Sequence, residues 1–110
     1  MAKSIAGSDV KKMVVACEAG MGSSLMVTNQ LKKKVKKAGL DISVSHTPAR
    51  SIPQDVQVIF VHKGLAKLAF ENAPAGAVTI PFDNFMNIPA FDKVINAIQN
   101  GTEIRGIGPS

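Results

Sequence analysis

The sequence predicts a single-domain α/β protein, a four-stranded parallel sheet flanked by helices. Three observations carry this. Short β-branched apolar runs alternate with helix-period segments, the pattern of a parallel sheet covered on both faces. The strongest runs, Lys12–Cys17 and Val56–Val61, are too uninterrupted for a half-exposed strand. The chain has 110 residues, 45% apolar and 19% charged, which suits one domain with one real core.

The elements follow in order. Residues 1–10 read as a flexible polar arm without the apolar stretch of a secretory signal. Lys12–Cys17 is the first strand, ending in a turn of small residues, Glu18–Ser24. A helix starts at Ser23 or Ser24, with a serine as N-cap. Leu31, Val35 and Ala38 form its inner face, extended by Ser24 and Thr28, and Gly39 ends it. Asp41–His46 alternates as a second strand, and 47–55, with Pro48 and Pro53, is a loop. Val56–Val61 is the third strand. Gly64–Asn72 is a short helix with Leu65, Leu68 and Ala69 inward, and Ala77–Ile80 a fourth strand stopped by Pro81. After a loop over 82–88, Asn87 caps a last helix with Pro89 in its first turn. Phe91, Val94, Ile95 and Ile98 are its apolar face, Gly101 its end, and 102–110 a tail. Right-handed crossovers favour the strand order 2-1-3-4. The topological switch then lies beside the first strand, so its carboxyl edge is the expected site. Cys17, His46, His62 and the loop after Ile80 are placed on that edge.

Composition excludes several classes. No apolar run reaches the roughly 18 residues of a membrane span. A lone cysteine fits a reducing compartment and rules out a C-x-x-C redox pair or a cysteine-rich zinc site. No metal and no organic cofactor are expected. The net charge of +5 owes much to Lys32, Lys33, Lys34, Lys36 and Lys37. These sit at a helix end, where cations complement the dipole and face water. With no Trp or Tyr, a base-stacking platform would rest on Phe alone, and no nucleic-acid partner is expected.

The chemistry converges on Cys17. It leaves a buried strand into a turn where Gly20 and Gly22 let backbone N–H groups point inward. The helix N-terminus adds partial positive charge, so the loop is an anion cradle. The same field favours thiolate over thiol. A thiolate in an anion cradle suits attack on a phosphoryl group and retention of the product, with Ser23 and Ser24 as further donors. Other phosphate loops fit less well. Gly20–Leu25 follows G-x-G-x-x but puts Leu25 where a dinucleotide fingerprint needs a small residue. No lysine falls between Lys12 and Lys32 for a Walker loop. A cysteine phosphatase of the form C-x5-R would have arginine at position 23, which holds serine. Without that bidentate clamp, holding and passing a phosphoryl group is favoured over hydrolysis.

Val14–Ser24 closely resembles the active-site loop of enzyme IIB of the bacterial phosphoenolpyruvate-dependent sugar phosphotransferase system, most of all the mannitol type. The resemblance covers about residues 12–100, including the lysine-rich helix ending at Ala38 and Gly39, the Pro53–Val56 approach and the His62–Leu65 segment. It implies a Rossmann-like, low-molecular-weight-phosphatase-like frame over 11–101. It implies a relay in which a IIA phosphohistidine donates to Cys17, and phosphocysteine then donates to a sugar or polyol held in a membrane IIC subunit. Residues Glu18, Ala19, Gly20, Met21, Gly22, Ser23 and Ser24 correspond to the phosphate-binding loop, and the protein would work in the cytoplasm beside the membrane. Glu18 stands where mannitol enzymes carry aspartate, keeping the charge with a longer reach. The sequence fits a free subunit and an excised domain alike.

His62, at a strand end, and Arg50, in the loop after the second strand, are auxiliary candidates for contacting phosphate; His46 is a weaker one. Met21 and Met26 read as apolar contacts, Met21 also as a partner-facing residue. Phe82, Phe85 and Met86 fit either a docking patch on the same edge or core packing. Two other functions share this cysteine: a IIB-like module that reports phosphorylation to a regulator, and a relative of the cysteine phosphatases and arsenate reductases.

Overall fold

The computed structural model describes residues 2–17, 22–74, 76–82 and 89–107. The strands are β1 (Ala2–Ala6), β2 (Lys12–Cys17), β3 (Ser43–Pro48), β4 (Val58–His62), β5 (Val78–Phe82) and β6 (Glu103–Ile107). The helices are α1 (Gly22–Lys37), α2 (Ala66–Asn72) and α3 (Pro89–Asn100). All strands join one six-stranded sheet in the order β1-β6-β5-β4-β2-β3. Its four parallel strands run β3-β2-β4-β5, the 2-1-3-4 order expected.

β2 and β4 are central, and their apolar runs are buried on both faces. Alternation along the strands divides the core in two. Met13, Val15 and Phe60 meet Val27 and Leu31 of α1 and Phe91 of α3 on one face. Val14, Ala16, Ile59 and Val61 meet Ala69 of α2 and Ile52 on the other. Phe60 and Phe91 pack edge to face with centroids 4.7 Å apart, worth about 1 kcal/mol beyond their buried area. α1 buries Val27, Thr28, Leu31 and Val35 as one stripe. It ends at Gly39 (φ +73°), whose N–H donates to the Lys36 carbonyl while that of Leu40 donates to Val35. This reciprocal pair satisfies carbonyls the helix leaves open, and the left-handed φ suits glycine.

The sequence reading needs correction at both ends. The expected arm and tail instead pair antiparallel as β1 and β6, Ala2↔Ile107 through Ala6↔Glu103, and extend the sheet beyond β5. Gly7 then donates its N–H to the Thr102 carbonyl at 2.8 Å, tying the two segments together after the pair. Partly buried Ile5 of β1 and buried Ile104 of β6 pack on the core, in segments without a continuous apolar run to announce a strand. The second strand lies two residues later than expected, at Ser43–Pro48. Pro81 falls inside β5, not after it. Pro81 is exposed and stays in register with Val61 of β4. Asn87 lies outside the described residues. No helix among the described residues is long and apolar enough to cross a membrane.

Candidate active site at the carboxyl edge of β2

Cys17 is the last residue of β2 and pairs in register with Pro48 of β3. On its other side the last registered pair with β4 is Ala16↔Val61, and Cys17 and His62 are the residues that follow on the two strands. β2 reaches this edge because Met13–Ala16 can be buried on both faces. α1 starts at Gly22, five positions after Cys17. A helix beginning there directs its unsatisfied first-turn N–H groups back toward the strand edge. That first turn holds no acidic residue to offset the positive end of the dipole. Glu18, Ala19, Gly20 and Met21 lie outside the described residues; Gly22, Ser23 and Ser24 form the opening turn of α1.

His62 ends β4, half-buried. Its Nδ1 accepts the backbone N–H of Gly64 at 3.2 Å, capping the short 3-10 turn Lys63–Leu65 that leads into α2. With Nδ1 accepting, the neutral ring carries its proton on Nε2. The ring stands edge to face with Phe82, centroids 6.0 Å apart, as the His62↔Phe82 register dictates.

Arg50 occupies a tight turn after β3. The Ser51 N–H donates to the Pro48 carbonyl at 3.0 Å, and the Thr47 hydroxyl donates to the Ser51 carbonyl at 3.1 Å. Ala49 and Ile52 are buried on either side, which leaves Arg50 exposed at the turn. It lies two residues beyond Pro48, the register partner of Cys17, so both belong to one edge.

The remaining candidates are placed as follows. His46 was expected to end a strand, but β3 runs on to Pro48; His46 is exposed opposite Val15, two rows short of the end. Phe82 is buried in the core beneath α1 and α3. Phe85 and Met86 lie outside the described residues. Met26, expected as an apolar contact, is 42% exposed, and its neighbour Leu25 is 52% exposed. Leu25 was missed, although a helical wheel sets both well away from the Val27–Leu31–Val35 stripe.

Comparison with known proteins identifies the family. The family described as "PTS system, Lactose/Cellobiose specific IIB subunit" matches residues 12–97, from the start of β2 into α3. The chain is 41% identical over 98 residues, 89% of its length, to the PTS system mannitol-specific EIICB component of Bacillus subtilis (strain 168). It is 41% identical over 90 residues, 82% of its length, to the protein of the same name from Geobacillus stearothermophilus, and 37% identical over 93 residues to that of Staphylococcus aureus (strain COL). The chain spans about a fifth of the length of these relatives, 20% of the Bacillus subtilis protein. With the family matched from β2 into α3, the chain belongs to the lactose/cellobiose-specific IIB subunit family of the phosphotransferase system.

Proposed function

We propose that this chain accepts a phosphoryl group on Cys17 from a phosphohistidine of a IIA protein and passes it to a sugar or polyol held by a membrane IIC unit. Mannitol is the substrate favoured by the relatives' names. The observation that carries the reading is the placement of Cys17 at the carboxyl end of central strand β2, with α1 opening at Gly22. In the first step the Cys17 thiolate attacks phosphorus; an S–P bond forms, the P–N bond breaks, and the donor imidazole leaves. In the second, a substrate hydroxyl attacks the same phosphorus, its proton passes to a base, and the thiolate is released. Backbone N–H groups of the loop and of the α1 first turn would hold the transferring oxygens. Arg50, in the turn after β3, and His62, at the end of β4, would assist.

The cytoplasmic face of the membrane is where such a relay would operate. Reconstitution with IIA and vesicles bearing a mannitol IIC tests the whole sequence. Mannitol phosphate should accumulate with the wild-type chain and not with Cys17→Ser. A wild-type chain that is phosphorylated yet yields no sugar phosphate would support the sensing module instead.

A further inference from the structure

We infer that the outer face of α1 is a docking surface for an acidic protein partner, contiguous with the Cys17 edge. The inference rests on the proposed relay and names where the phosphoryl donor sits. α1 contains no Asp or Glu between Gly22 and Lys37, and Lys32, Lys33, Lys36 and Lys37 are all exposed. At 3.6 residues per turn, Leu25, Asn29, Lys33 and Lys36 form one stripe, and Met26, Gln30, Lys33 and Lys37 an adjoining one. The face is therefore graded. Its first turns, next to the site, expose Leu25 and Met26; its last turns expose only cations. Lys34, off this face, is engaged by Asp92 of α3 at 2.9 Å.

Isolated exposed apolar side chains are ordinary, as are lysines at a helix C-terminus. Here they are joined by a depression of about 410 Å³ between Leu25, Met26, Asn29, Gln30 and Lys33. A concavity with an apolar wall receives a protruding side chain, whereas a bilayer is flat. A bilayer laid on Leu25 and Met26 would also cover the edge a donor must reach. An apolar knob ringed by carboxylates is the complementary partner surface, and steering by the lysines would raise the encounter rate.

The test uses the full chain and a phosphorylated mannitol-type IIA, with transfer followed by rapid quench against donor concentration. Two variants, Leu25→Gln with Met26→Gln and Lys33→Glu with Lys37→Glu, should raise the half-saturating donor concentration about tenfold. The rate at saturation should stay unchanged, since no reacting atom is altered. Rising salt should weaken the wild type but much less the lysine variant. Lys67→Glu, an exposed cation on α2, should change neither quantity. Equal behaviour of all variants would overturn the inference, as would a fall in the saturating rate alone. Binding of wild type, but not the lysine variant, to phosphatidylglycerol vesicles with unaltered transfer would assign the face to lipid and also overturn it. A wild-type chain that an active donor cannot phosphorylate would overturn the relay itself, and the docking site with it.

Discussion

His62 caps the Lys63–Leu65 turn through Nδ1 and follows Val61, the register partner of Ala16, as Cys17 follows Ala16. Under the proposed relay its two ring nitrogens would have separable tasks, Nδ1 in the cap and Nε2 toward the phosphoryl group. His62→Asn keeps an acceptor for the Gly64 N–H and removes the Nε2–H. Its thermal midpoint should stay within about 2 °C of wild type, while His62→Ala should lose about 1 kcal/mol with the cap. Transfer to Cys17 should fall about tenfold in both. An unchanged rate in His62→Asn would confine His62 to capping.

Gly7 and Gly39 are constrained for different reasons. A Cβ on Gly7 would lie 2.7 Å from the Ala97 carbonyl carbon and 2.9 Å from the Thr102 oxygen. Gly7→Ala should therefore cost about 1–3 kcal/mol, as overpacking does, and loosen the junction of β1 with the end of α3. Urea unfolding measures it, and amide exchange should rise first in β1 and β6.

A Cβ on Gly39 would meet nothing within 4 Å; only φ +73° opposes a side chain. Gly39→Ala should cost about 1 kcal/mol, and Gly39→Asn less, because asparagine tolerates the left-handed region. Equal stability of all three proteins would contradict the cap geometry at the end of α1.

Thr79 is fully buried in β5, and its hydroxyl finds no partner among the described residues. Thr79→Val keeps the shape and removes the unsatisfied group, so stability should rise by about 1 kcal/mol. The denaturation midpoint should increase at unchanged slope.

The parallel core was legible because Val14, Val15 and Val58–Val61 are buried on both faces, and continuous β-branched runs carry that signal. β1 and β6 were not legible: neither carries a continuous apolar run, and their pairing joins opposite ends of the chain. The reading of β3 slipped because alternation at a half-exposed edge strand is weak and Pro48 looks like a stop. Cys17 at a strand end was readable because strand and small-residue turn follow one another locally, whereas the helix starts at Gly22, so Ser23 and Ser24 lie within its first turn and do not cap it. The turn that places Arg50 depends on burial of Ala49 and Ile52, a tertiary fact. His46 was over-read for the same reason that β3 was misplaced. The exposure of Leu25 and Met26 was within reach, since the helical stripe already excluded them.

The central claim is that Cys17 carries the phosphoryl group. The most direct measurement is intact mass and phosphorus NMR of the purified chain after incubation with phosphoenolpyruvate, the two general phosphotransferase proteins and a mannitol-type IIA. One added phosphoryl group in a thiophosphate environment, absent in Cys17→Ser, is the predicted result. Phosphorylation that persists in Cys17→Ser, or no phosphorylation of the wild type by a IIA shown to be active, would contradict it.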